Sequence, residues 1–182
     1  LWIGDDEDSA FSQHIRAQLR ACVNQGTPIF ILPGNRDFLL GARFANDTGC
    51  TILKDPTVIK LYERDILLLH GDTLCTHDRL HQYYRRVVQN RAFNLLLTRL
   101  LPLSARRRVG QWLRKLSKRH TQRQTPINMD VINSSVIALF EQLPVTTMLH
   151  GHTHRPMIET HYLNNLPHQR FVLGSWHDKG NV

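Results

Sequence analysis

His150, His152 and His154 stand at alternate positions in the stretch LHGHTHRP. In an extended chain, residues two apart share a face, so this spacing can aim two or three imidazoles at one point. Neutral imidazole is a common metal ligand, which makes metal chemistry the first reading to test. Two other clusters have a similar character: GNRD (Gly34 to Asp37) and HGD (His70 to Asp72). Taken singly, each has a plain explanation. Asn35 reads as a turn residue after Gly34, and His70 as a histidine closing an apolar run. Taken together, Asn35, His70, His152 and His154 offer one carbonyl oxygen and three ring nitrogens. Such mixed donors suit Mn, Fe or Zn better than Ca, which prefers oxygen alone. Two metals ~3.5–4 Å apart can activate water and neutralise a phosphoryl oxygen. Arg36, beside Asn35, has the planar fork that binds a phosphate with two hydrogen bonds.

The elements that must position these residues follow from the flanking pattern. TPIFILPG, RDILLLHGD and TTMLHGHTH are short continuous apolar runs, which read as buried strands of a largely parallel sheet. Each ends in one of the polar clusters, and in layered α/β folds sites form beyond the carboxyl ends of strands. CTILKD and VIKLY read as further short strands. FSQHIRAQLRACV has the spacing of an amphipathic helix, with Ser9 as its N-cap. DRLHQYYRRVVQNRAFNLLLTRLLPL predicts one helix closing at Pro102. SARRRVGQWLRKLSKRH predicts a second, with Ser104 at its N-cap and Val109, Trp112, Leu113 and Leu116 on one face. A short link between the two makes a helical hairpin, placed to act as a lid.

Composition bounds what such a chain can be. Its 182 residues suffice for one domain with a real core. Cys22, Cys50 and Cys75 lie far apart with no C-x-x-C, which suits a reducing compartment and excludes a zinc ribbon. No stretch approaches the ~20 apolar residues of a spanning helix, and no signal peptide is visible. The charge is uneven. From Arg79 to Arg123 there are thirteen Lys or Arg and no Asp or Glu, while the rest of the chain has ten basic against fifteen acidic residues. That segment seeks an anion: nucleic acid, a lipid headgroup or a phosphorylated substrate. A basic nucleic-acid-binding module would explain the charge but not the paired histidines. It would also want aromatic residues interleaved with the basic ones. The chain opens on LWIGDD without an initiator methionine and stops at GSWHDKGNV, so both ends are expected to be cuts in a longer protein.

With these residues in hand, GNRD, HGD and GHTH resemble three motifs of the calcineurin-like metallophosphoesterases. Arg36 stands where that superfamily usually has histidine, and this narrows the resemblance. LWIGDD, GNRDFLLGARFA, LLLHGDTLCTHD, MDVINSSV, HGHTHRP and FVLGSWH are similar to the UDP-2,3-diacylglucosamine pyrophosphohydrolases, the lipid A pathway enzymes of Gram-negative bacteria. The likeness runs from Leu1 to Val182. It implies an α/β layered sandwich, with a ββ core flanked by helices, as one domain over residues 1–182. The helical lid is inserted at about 79–125.

It also implies hydrolysis of UDP-2,3-diacylglucosamine to UMP and 2,3-diacylglucosamine 1-phosphate, by water attacking the α-phosphorus. A pair of Mn²⁺ ions serves as cofactor. Asn35, His70 and His152 would ligate one ion and His154 the other, with Asn35 and His152 counted as catalytic. Asn35, Arg36, Asp78, Ser117, Thr121, Gln124 and His152 would contact the lipid-linked sugar nucleotide. The family favours lysine where Gln124 stands, so one charge contact is expected to be missing. His150 is expected either to back the ligands or to be structural, and Asp72 to orient His70. The implied location is peripheral, on the cytoplasmic face of the bacterial inner membrane, with no nucleic acid and no obligatory protein partner. A nuclease or phosphatase of the same superfamily is the alternative; Arg36 and the apolar run AFNLLLTRLLPL argue against it. The family's D-x-H motif in its first strand and the G-D pair that closes its second, which complete its ligand set, are not in these residues; Asp5 and Asp6 of LWIGDD stand in addition to that pair and do not replace it. A chain of residues 1–182 alone is therefore expected to be inactive, and any manganese-dependent turnover by it would overturn that.

Overall fold

A computed structural model describes residues 2–76, 79–123 and 131–175. The chain divides into two compact units, residues 1–54 with 83–123, and residues 55–82 with 124–182.

In the first unit, helix α1 (Ala10–Asn24) begins where the sequence places it. Ser9 is extended, and its hydroxyl accepts from the Ser12 amide at 3.3 Å. Its buried side chains, however, are Ser12 and Arg16, while Phe11 is 76% exposed and Ile15 is also exposed. The apolar periodicity did not predict this, because the cause is tertiary. The Arg16 guanidinium meets Asp8 at 3.2 Å and Asp47 at 3.3 Å, and lies 5.2 Å over the Trp2 ring. Trp2 in turn packs edge-on to Phe44, with centroids 4.9 Å apart.

The run TPIFILPG yields only a two-residue strand, β1 (Phe30–Ile31), paired in parallel with β2 (Thr51–Ile52). Phe30 is exposed, so the expected buried strand is not seen there. Helix α2 (Ala42–Thr48) lies between them in sequence. Asp5 holds its start, accepting from the Gly41 and Phe44 amides at 3.0 and 3.1 Å.

The basic segment forms three helices, α3 (Arg79–Val88), α4 (Arg91–Leu100) and α5 (Leu103–Arg123). The single helix expected up to Pro102 is broken at Gln89–Asn90. Asn90 takes an extended conformation and its side chain accepts from the Phe93 amide at 3.1 Å, so it caps a new helix. Helix α5 starts at Leu103, so Ser104 lies within it. The Pro102 carbonyl accepts from Ala105 and Arg106, and Leu101 before the proline is extended, as a pre-proline residue prefers.

The second unit is built on a five-stranded mixed sheet of order β3-β4-β5-β7-β6. Strands β3 (Thr57–Leu61) and β4 (Arg64–Leu69) form a hairpin through Tyr62 and Glu63, both at positive φ as a two-residue primed turn needs. Strand β5 (Thr147–His150) pairs in parallel with β4. Strands β6 (Met157–Leu163) and β7 (Leu166–Val172) form a second hairpin through Asn164 and Asn165, again at positive φ. Helix α6 (Asn133–Gln142) closes a core of Leu67, Leu69, Leu74, Val136, Phe140, Val145 and Met148. Strand β4 from Ile66 onward and strand β5 are buried or half-buried, as their apolar runs predict, while Arg64 and Asp65 are exposed. A cap of α6 by Met129 and Asp130, which the sequence suggests, falls outside the described residues.

Candidate active site

The second unit gathers histidines where β4 and β5 end. The turn after β4 carries His70, and the turn after β5 carries His152. The two turns are tied by the Gly151 amide, which donates to the His70 carbonyl at 3.1 Å. The His70 amide donates to the Asp55 carboxylate at 3.1 Å. His70 Nε2 and His152 Nδ1 are 3.3 Å apart, and the ring centroids 5.0 Å apart. Two imidazoles face each other at these strand ends.

The route to this pairing differs from the alternation expected. Only His150 is on the strand. His152 and His154 lie in the following turn, with φ of 70° and 56°. Left-handed backbone at two non-glycine residues is uncommon and marks a constrained turn. His152 is half-buried, whereas His154 is exposed. Among the described residues, no group of three or more His, Cys, Asp or Glu is placed to hold a metal ion.

His150 lies beneath both turns and is 1% exposed. Its Nδ1 is 2.9 Å from the Gly151 carbonyl and its Nε2 3.4 Å from Arg170 Nη1. A carbonyl only accepts and a guanidinium only donates. Nδ1 therefore carries the proton and Nε2 accepts, so the ring is neutral. Burial depresses the His150 pKa, and the Arg170 and His70 charges add to this, against the Gly151 carbonyl. Gly71, at φ 110°, allows the fit. A Cβ there would lie 2.7 Å from His150 Nδ1 and 3.0 Å from the Gly151 carbonyl. Asp72 is buried and opens a 3₁₀ turn (Asp72–Leu74), and its carbonyl accepts from Gln82 at 2.7 Å.

Asn35 and Arg36 belong to the first unit. They form a turn closed by the Asp37 amide on the Gly34 carbonyl at 3.2 Å. The Trp2 amide donates to both the Arg36 carbonyl and Asp37 Oδ1 at 3.2 Å. Asn35 is half-buried and Arg36 exposed. The Arg36 charge acts on Tyr84, whose pKa burial raises and Arg36 lowers. Ser117 and Thr121 lie one turn apart on α5, while Asp78 and Gln124 fall outside the described residues. Asp55, Glu159 and Arg170 escaped the sequence reading. Glu159 and Arg170 had a signal: each lies five residues from the Asn164–Asn165 turn, which places them opposite each other.

Of the thirteen basic residues from Arg79 to Arg123, Arg106 is not available to a membrane or a substrate. It is 4% exposed and paired with Asp6, and it donates to the Ile3 and Leu101 carbonyls at 2.6 and 2.9 Å. Arg107 pairs with Glu7 at 2.8 Å. An open, largely apolar groove of about 660 Å³ in the same unit is lined by Trp2, Ile15, Leu19, Leu40, Phe44 and Arg107, among others.

No family model matches the chain. Individual relatives match over its whole length. A protein of Proteus mirabilis is 43% identical over 182 residues, covering 100% of this chain and 75% of its own. A protein of Photobacterium profundum is 42% identical over 182 residues, covering 100% and 74%. One of Yersinia enterocolitica is 41% identical over 181 residues, covering 100% and 75%. Each is named UDP-2,3-diacylglucosamine hydrolase. Identity of this extent fixes the class as a hydrolase. More narrowly, the chain belongs to the UDP-2,3-diacylglucosamine hydrolase family, the one that the longer stretches such as GNRDFLLGARFA and LLLHGDTLCTHD resemble.

Proposed function

We propose that the protein carrying these residues hydrolyses the pyrophosphate of UDP-2,3-diacylglucosamine in lipid A biosynthesis. Identity of 40–43% to proteins of that name, over the full chain, is the observation that carries this reading. Water adds to the α-phosphorus, the bond from that phosphorus to the bridging oxygen breaks, and UMP and 2,3-diacylglucosamine 1-phosphate leave. Asn35, His70 and His152 are the proposed ligands of one Mn²⁺ and His154 of a second. The neighbouring pair His70 and His152 fits this donor set in kind, since imidazole suits Mn²⁺ and a ring nitrogen of each lies 3.3 Å from one of the other. A divalent ion there supplies charge neutralisation at the phosphoryl oxygens and acidifies water. Arg36, exposed on its turn, offers a bidentate grip to a phosphate. Asn35, His152, Asp78, Ser117, Thr121 and Gln124 complete the proposed substrate contacts.

The helices α3 to α5 form the proposed lid within a layered metallophosphoesterase sandwich. They combine an acid-free basic segment with exposed Leu95, Leu96, Leu100 and Trp112. This supports peripheral attachment to the cytoplasmic face of the inner membrane, and no described helix is long and apolar enough to cross it. Salt-sensitive binding to generic duplex DNA with no UMP release would favour the nucleic-acid reading instead.

The test is UMP release from UDP-2,3-diacylglucosamine by the gene product containing these residues. Release should require Mn²⁺ and fall at least a hundredfold in His70→Ala and His152→Ala. Release that survives either substitution, or none from a folded protein supplied with Mn²⁺, defeats the proposal.

A further inference from the structure

We infer that Arg170, held by Glu159, is a positioning residue that sets His152 against His70 through the buried ring of His150. The inference deepens the proposed hydrolase site and rests on it for what the two histidines do, but not for how they are placed. Arg170 is 6% exposed on β7. Its cross-strand neighbour is Glu159, whose Oε2 accepts from Nε at 2.9 Å and from Nη2 at 2.7 Å. His161 lies 3.2 Å from the same oxygen, and Met157 Sδ takes Nη2 at 3.4 Å. The fork is therefore fixed on one side, and the remaining nitrogen, Nη1, reaches His150 Nε2 at 3.4 Å.

The consequence passes through the imidazole. With Nε2 accepting, Nδ1 must donate, and it donates to the Gly151 carbonyl. That carbonyl belongs to the peptide leading into His152, the first left-handed residue of the turn. The opposite end of the same residue, the Gly151 amide, is bound to the His70 carbonyl. Gly71, next to His70, leaves room for the same Nδ1. One buried ring thus fixes the peptides beside both facing histidines, and a fixed guanidinium selects the ring's tautomer. Metal-binding histidines are commonly oriented by such outer partners. Here the partner acts one peptide away, through the backbone rather than on the ligand ring.

The test uses the intact chain at one fixed pH. Long-range ¹H–¹⁵N spectra of the imidazoles should show His150 with its proton on Nδ1, and ring contacts between His70 and His152. Arg170→Met should move the His150 proton, weaken those contacts and lower Mn²⁺ affinity, titrated as MnCl₂, by about tenfold to a hundredfold. Arg170→Lys should fall between, since it keeps a donor but loses the fork. Glu159→Gln should show the same changes more weakly, and it decides the matter if Arg170→Met fails to fold. Leu163→Ala, which trims the core without touching Arg170, should lower thermal stability and leave all three readouts unchanged. A folded Arg170→Met chain with the native tautomer, native ring contacts and native Mn²⁺ affinity overturns the inference. If the parent chain takes up no Mn²⁺, the metal assignment falls, and the spectra alone decide the positioning claim.

Discussion

Two buried arginines organise the two units, and they do it differently. Arg106 and Arg170 are each paired with a partly exposed carboxylate, Asp6 and Glu159 respectively. Arg106 points its remaining donors at backbone carbonyls, those of Ile3 and Leu101, and so clamps the amino-terminal segment to α5. Arg170 points its remaining donor at an imidazole that underlies a pair of facing histidines. A guanidinium whose free donors meet carbonyls can only hold the fold. One whose free donor meets a histidine also determines where a proton sits. Burial and pairing alone do not distinguish the two roles; the third partner does.

The comparison breaks most sharply at Arg106. Arg106→Met leaves the Ile3 and Leu101 carbonyls without their donor and Asp6 without its partner. The loss should be about 3 kcal/mol, the lower end for a broken buried pair because Asp6 is half-exposed. Chemical denaturation should show it as a lower midpoint. If the clamp is structural only, the spectra of His70, His150 and His152 should not move below the transition. A change in those spectra would erase the contrast with Arg170.

Gly71→Ala probes the other side at a somewhat smaller cost. The residue sits at φ 110° and its Cβ would press on His150 Nδ1 and the Gly151 carbonyl. About 2 kcal/mol of stability should be lost to backbone strain and displaced contacts. Unlike Arg106→Met, this variant should disturb the His150 spectrum in the folded state. An unchanged His150 resonance would mean that the ring does not pack between the two turns.

How much of this was legible in the sequence depends on how local the cause was. Ser9 caps α1 with its own side chain, and β4 and β5 meet the core through Leu67, Leu69 and Met148. These needed only neighbours in sequence. The burial of Arg16 instead of Phe11 needed Asp47 and Trp2, which no periodicity reveals. The break at Asn90 was readable in principle, since asparagine is a good cap, but the apolar run on either side masked it. The histidine cluster was legible as a set of residue types. Its geometry was not, because His152 and His154 leave the strand in left-handed turns rather than alternating along it. The Glu159 and Arg170 pair became visible only once Asn164–Asn165 was known to be a turn.

Acid bears more gently on the first unit. Hydrogen bonds from Arg106 hold the Asp6 carboxyl below its usual range, and those from Arg107 do the same for Glu7. A carboxyl whose folded pKa is depressed stabilises the fold above its unfolded value, about 4. That stabilisation is lost as pH falls through the lower folded value. Melting temperature should therefore drop with acidification below about pH 4.5. Arg107→Met should make that pH slope shallower, by an amount that added salt reduces in the parent, since Arg107 is half-exposed. A slope unaffected by the substitution would remove Glu7 from the acid sensitivity.

The smallest effect per residue concerns the membrane, and the structure changes how it must be tested. Reversing Arg106, Arg107 and Arg108 together would unfold the clamp and mimic a loss of docking. Arg108, Arg114 and Lys115 are exposed on α5, and no carboxylate lies in residues 79–123 to compete for them along the segment. A basic side chain near an anionic bilayer is worth about 1 kcal/mol, roughly fivefold in partition. Arg108→Gln, Arg114→Gln and Lys115→Gln, combined, should lower binding to vesicles containing anionic lipid by up to about a hundredfold at low salt, with the melting temperature unchanged. Arg106→Lys, which keeps the charge but not the fork, should do the reverse: lower stability with unaltered partition of the folded fraction. If the exposed triple variant binds vesicles as the parent does, the acid-free segment serves the substrate's phosphates rather than the bilayer, and the arginines of α5 divide only between clamp and substrate.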